Sequence, residues 1–163
     1  MSRPGVPMSV LALALRLALG GLFVFAGGLK VLNPQSFSES VRAFKILPDD
    51  ASHLILSVTF TLPWVEVLAG LAVLLGFWTR AAAATLAAAS LVFVGGLISV
   101  VLRGLNTPCA CFGEMELFCS GVIGWCHVIR TAGFAAVGLL VLATGGGRWS
   151  LDWLLSRVRL AKG

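Results

Sequence analysis

Four cysteines lie close together late in the chain, Cys109, Cys111, Cys119 and Cys126. The first two stand in the run Thr107-Pro108-Cys109-Ala110-Cys111-Phe112-Gly113. Two thiols one residue apart close only a small, strained disulfide ring, and strained or exposed disulfides are the exchange-active kind. Redox chemistry is therefore the leading reading of Cys109 and Cys111, ahead of a structural bridge. Metal binding ranks third, because structural zinc sites show pairs with two to four intervening residues and Cys-Ala-Cys is tighter. Apolar filler accounts well for Cys126, since free cysteine packs as a small hydrophobe, and poorly for a pair in a water-facing loop. Cys119 and Cys126 are seven apart. On one continuous helix they lie about 10.5 Å apart along the axis, beyond the Cα separation of about 4.4–6.8 Å found in disulfides. They cannot bridge each other unless the start of that helix is unwound; Cys119, at the outer edge, can exchange with Cys109 or Cys111, or the two pairs form a relay, one facing a soluble partner and the other a membrane oxidant. His127, adjacent to Cys126, titrates near neutral pH and is a candidate proton carrier for the thiols. The bland alternative is an interfacial histidine near a helix end.

These residues sit in a chain that cannot be an ordinary soluble enzyme. Of 163 residues, 58% are hydrophobic and 12% charged, against about 45–50% and about 25% in soluble domains. Four apolar runs cover residues 9–32, 54–77, 81–102 and 120–143. Each is long enough, at about 1.5 Å per residue, to cross a hydrocarbon core of about 30 Å, and must be helical there. The expected fold is all-α, one integral domain over 1–163, a bundle of four transmembrane helices. The first run is read as a retained span rather than a signal peptide, because its apolar stretch exceeds the usual core of about 7–15 residues.

The runs carry few charges, and charges inside a membrane normally face the protein interior with a partner. Glu66 in the second run and Arg130 in the fourth, counted from 54 and 120, lie about 18 and 15 Å deep. They are expected to meet across the bundle, as a register-fixing ion pair or as the polar wall of a small-molecule or quinone pocket. Arg16 and Lys30 read as snorkelling residues.

Phe37, Val41, Phe44 and Leu47 in the first loop give an amphipathic helix lying on the membrane before Pro48. The tail over 148–162 is a second interfacial segment, with Trp149 and Trp153 as anchors. An even number of spans puts both termini on one side, with Arg3, Arg80, Arg148, Arg157, Arg159 and Lys162, against Lys30, Arg42, Lys45 and Arg103 on the other. Six against four favours cytoplasmic termini in the inner membrane and an extracytoplasmic cysteine loop, where disulfides persist. The net charge of +5 is scattered around the apolar runs, which argues against a nucleic-acid partner.

From Phe25-Ala26-Gly27-Gly28-Leu29-Lys30, through Pro34, Phe37, Leu47-Pro48 and Leu62-Pro63-Trp64-Val65-Glu66 with Gly70, to Cys109-Ala110-Cys111-Phe112-Gly113, Trp125 and Arg130, the chain resembles the DoxX-like superfamily. Within it, the chain is similar to the methylamine-utilisation MauE family. The resemblance spans about 11–142. It implies four membrane helices acting in thiol–disulfide chemistry or in maturation of disulfide-containing periplasmic proteins. The architecture is also similar to the quinone-linked four-helix enzymes of the DsbB and vitamin K epoxide reductase type, whose Cys-x-x-Cys this chain lacks; quinone enters by that analogy. Cys119 and Cys126 fall outside the MauE pattern. The leading function is a membrane thiol–disulfide oxidoreductase passing electrons between a periplasmic thiol or disulfide protein and a quinone near Glu66, Trp125, His127 and Arg130. The rival is a small accessory subunit of a respiratory or photosynthetic membrane complex with inert cysteines.

Overall fold

The computed structural model describes residues 6–46, 52–105, 107, 119, 122–147 and 150–154. Its elements are helices: α1 (Val6–Leu32), α2 (Pro34–Ala43), α3 (Ser52–Leu75), α4 (Thr79–Leu102) and α5 (Trp125–Thr144). Four of them, α1, α3, α4 and α5, are long and apolar enough to cross a membrane. The first three such spans match the apolar runs closely. The fourth starts later than its run, at Trp125.

Neighbouring spans pack as α1 on α3 and α4 on α5, with α3 on α4 and α1 on α5 completing the bundle. Small residues set the closest approach, because lipid supplies no hydrophobic drive between helices and association rests on packing. A Cβ at Gly20 would stand 2.8 Å from the Gly70 carbonyl oxygen, and one at Gly27 3.0 Å from that of Pro63. Both glycines lie on the face of α1 that meets α3, and this contact sets Lys30 opposite Glu66.

Two apolar clusters form the core. Leu19, Phe23, Val73, Ala83, Leu86 and Val141 fill the half nearer the chain termini. Phe44, Leu97, Val100, Ile123 and Val128 fill the half nearer the cysteines. Phe44 belongs to the first loop, and its burial corrects the expectation for that loop. After Asn33, Pro34 opens α2 at its first turn, where the missing N–H costs nothing. Phe37, Ser40 and Phe44 are all buried, and the Phe37 and Phe93 ring centroids are 6.4 Å apart. Phe93 lies well inside α4, about 13 Å from its end. The amphipathic face of α2 is thus inserted between the spans instead of resting on lipid. Arg103 Nη1 fastens the segment by donating to the carbonyls of Phe44 and Lys45, at 3.2 and 3.1 Å.

Candidate functional site

Lys30 and Glu66 form a buried ion pair. Nζ donates to both carboxylate oxygens, at 2.8 and 2.6 Å, and the side chains are 6% and 2% exposed. Nζ also lies 5.3 and 5.1 Å from the ring centroids of Phe37 and Phe93, within cation–π range. Glu66 sits in the middle of α3, far from either end of the helix, so the pair is near mid-bundle. The carboxylate therefore takes its cation from α1, not from Arg130, and Lys30 does not snorkel. The reason is register. Arg130 is only about 8 Å into α5, whereas Glu66 is about 21 Å into α3.

The pair borders a cavity of about 40 Å³ to which all four spans contribute. Phe23, Ala26 and Lys30 come from α1, Glu66 from α3, Ser90 and Phe93 from α4, Thr131 and Phe134 from α5. Ser90 Oγ donates to the Leu86 carbonyl at 2.8 Å and Thr131 Oγ1 to the His127 carbonyl at 2.9 Å. Trp125 does not share this wall. It is the first residue of α5 and 57% exposed.

The cysteine end is organised differently from the helix-based expectation. Cys119 and Cys126 form a disulfide with Cα atoms 6.1 Å apart. The bridge is open to them because α5 begins only at Trp125, after an extended Gly124, so no continuous helix holds the two residues apart. Ile123 N donates to the Thr107 carbonyl at 3.0 Å and ties the flanks of the cysteine loop together. Cys126, expected to be packed in the helix, is exposed, while Cys119 is buried. Gly124 N donates to His127 Nδ1 at 3.3 Å, so the neutral ring of this buried residue carries its proton on Nε2. Cys109 and Cys111 lie outside the described residues, as does most of the tail over 148–162.

A third cluster, not foreseen from the sequence, closes the opposite end. Arg16 is 1% exposed. Its Nε donates to the Val73 carbonyl (2.9 Å), Nη1 to Gly146 (2.6 Å) and Nη2 to Leu74 (3.0 Å). Arg16 is therefore a cap on the last carbonyls of α3 rather than a snorkelling cation, using the fixed fork of its guanidinium. Gly76, at φ +71°, lies against that guanidinium, and a Cβ there would collide with Nη2. Asp152 caps the next helix. Its carboxylate accepts from Trp78 N (2.9 Å), Thr79 N (3.0 Å) and Thr79 Oγ1 (2.9 Å). The local signal is faint, an aspartate in an amphipathic tail, and nothing near it in sequence identifies its partners.

Burial acts to raise the Asp152 carboxyl, but the hydrogen bonds from Thr79 and Trp78, with the Arg16 guanidinium nearby, outweigh it and hold the group below its ordinary value. A carboxyl depressed in the folded state contributes stability that is present above the unfolded pKa and lost as pH falls through the folded pKa. Melting temperature in detergent is thus expected to fall on acidification below the ordinary carboxylate range, and the Asp152→Asn protein to show a flatter acid limb. Parallel acid limbs would show that the cap does not hold the helix.

Residues 8–144 match the family model described as methylamine utilisation protein MauE. Over 133 residues, the chain is 35% identical to the methylamine utilization protein MauE of Paracoccus denitrificans, covering 81% of this chain and 68% of that protein. No solved structure matches the chain significantly.

Proposed function

The chain belongs to the MauE family, and from that premise we propose that it is a membrane thiol–disulfide exchange protein serving methylamine utilisation. The observation that carries the proposal is the Cys119–Cys126 disulfide, bridged with one half exposed and one buried, a few residues along the sequence from Cys109 and Cys111.

Exposure selects the sulfur that is attacked. A partner's thiolate attacks Cys126 Sγ, the Cys119–Cys126 bond breaks, and Cys119 leaves as the thiolate. The partner's second thiolate then attacks the mixed disulfide and releases Cys126. The partner leaves with a disulfide, and Cys119 and Cys126 hold its two electrons as a dithiol. The two protons of that dithiol come from the partner's own thiols, because His127, a neutral ring whose Nδ1 accepts from Gly124 N, has no acidic proton to give. Exchange with the Cys109–Cys111 disulfide re-forms the Cys119–Cys126 bond and passes the electrons on. A membrane quinone would supply the final two-electron acceptor, and Trp125, exposed and next in sequence to Cys126, is the residue that would hold it. The likeness to the wider DoxX-like grouping belongs to the same reading.

Orientation follows from charge. With Lys30 withdrawn into its ion pair, the six Lys and Arg flanking the termini side face three on the cysteine side, Arg42, Lys45 and Arg103. The termini are then cytoplasmic and the cysteines extracytoplasmic in the inner membrane, where the partner is a periplasmic thiol or disulfide protein.

The Cys119→Ser protein keeps the exposed Cys126 without its resolving thiol. It is expected to accumulate a reductant-sensitive adduct with a soluble partner, visible on a non-reducing gel. Cys109→Ser and Cys111→Ser test the second pair in the same way. If none of the three traps a partner and all keep full function in cells, the thiols are not catalytic and the accessory-subunit reading replaces this one.

A further inference from the structure

The mid-bundle cavity plays no part in the exchange chemistry, yet its wall has a specific hydrogen-bonding character. Ser90 and Thr131 have each spent their only hydroxyl proton on a backbone carbonyl of their own helix. Toward the cavity these residues can offer only oxygen lone pairs. Glu66 adds the lone pairs that its two bonds from Lys30 leave over. Against these acceptors stands one N–H, the third of Lys30. The remaining wall includes the phenylalanines Phe23, Phe93 and Phe134. An occupant must therefore bring more donors than acceptors at one end and an apolar surface at the other. It must also be uncharged, because Lys30 and Glu66 already neutralise each other and a further charge inside the bundle is costly. At about 40 Å³, where one water needs about 10–15 Å³ by the same measure, the space admits roughly three heavy atoms and excludes a quinone ring.

We propose that this cavity is a binding site for a small neutral amphiphile, an amine or alcohol of one or two carbons. Its donor hydrogens rest on Ser90, Thr131 and Glu66, and its carbon rests against the phenylalanines. Methylamine, methanol and ethane make a size-matched probe series that differs in donor count. Saturation-transfer NMR on the full chain in lipid nanodiscs, at a pH above the pKa of methylammonium, is expected to rank methylamine above methanol and to give no signal for ethane. Apparent affinity for methylamine should rise with pH in step with its neutral fraction, while that for methanol stays flat. The Ser90→Ala/Thr131→Val protein, which removes two acceptors without touching the ion pair, should bind methylamine about tenfold more weakly. Ala26→Leu should abolish binding by filling the space, and its own melting curve reports whether it has folded. Equal binding of ethane, affinity that falls as pH rises, or unchanged binding in the double variant would each overturn the proposal. None of these outcomes depends on the cysteines, so the test stands apart from the thiol-trapping experiment.

Discussion

Glu66→Gln is expected to destabilise the bundle by about 3–5 kcal/mol, the cost of leaving one member of a buried ion pair without its partner. The Lys30 ammonium would then be held at mid-bundle with two aromatic faces and one neutral amide. Lys30→Met should cost a similar amount, since it leaves the Glu66 carboxylate unpaired beside Ser90 and Thr131. The double variant, carrying neither charge, should cost clearly less than the sum. Its favourable coupling is expected to exceed about 1 kcal/mol, as for residues in direct contact. Reversible unfolding in detergent micelles gives all three values. Simple additivity would mean that the two side chains do not touch in the folded protein. The pair is thus weak evidence for high stability and strong evidence for register, since it specifies which face of α1 meets α3.

Arg16→Met is expected to cost roughly 4 kcal/mol or more, counted from three charge-assisted hydrogen bonds at about 1.5–3 kcal/mol each with part recovered by water at the bundle end. Three of its acceptors, Val73, Leu74 and Gly146, lie in two places far apart in the chain. One substitution therefore frees the end of α3 and the turn after α5 together. Arg16→Lys should recover less than half of the loss, because an ammonium is a point charge without the fork that reaches all three carbonyls. The measurement is the same unfolding experiment, with limited proteolysis after Gly146 as a local readout. Full rescue by lysine would show that charge, not geometry, is what the site uses.

The spans were legible because apolar runs long enough to cross the hydrocarbon core admit only one structure in lipid. Their partners were less so. Depth counted from the edge of an apolar run placed Arg130 level with Glu66, but the run from 120 includes a stretch that precedes α5, which starts at Trp125. Gly121 and Gly124 were the available signal for a later helix start. The same miscount made the Cys119–Cys126 bridge look forbidden. Lys30 looked interfacial because it falls in the last turn of α1. It is deep because α2 continues the layer below it, and hydropathy alone does not distinguish a short polar helix inserted between spans from one on the surface. Arg16 and Asp152 were illegible in principle. Apart from the Thr79 hydroxyl, the partners described for them are backbone groups 57 to 130 residues away, and backbone leaves no trace in residue type. The proposed chemistry of the cysteines rests on their spacing, and which of Cys119 and Cys126 is presented comes only from burial.

The offset between Arg16 and its acceptors has a consequence for biogenesis. When α1 leaves the ribosome it carries two cations whose partners have not yet been made. Glu66 follows Lys30 by 36 residues, and the Val73 and Leu74 carbonyls follow Arg16 by 57 and 58. Alone, α1 is a poor substrate for insertion, since each buried cation opposes partitioning into lipid. Its insertion is expected to be completed only as a hairpin with α3, before α4 and α5 are translated. Of the Arg16 acceptors described, the Gly146 carbonyl arrives last, 130 residues after Arg16, so this bond waits until α5 has been made, and the Asp152 cap on α4 follows it. Nascent chains stalled before residue 146 should hold α1 and α3 paired while leaving the terminal turn open to membrane quality-control proteases.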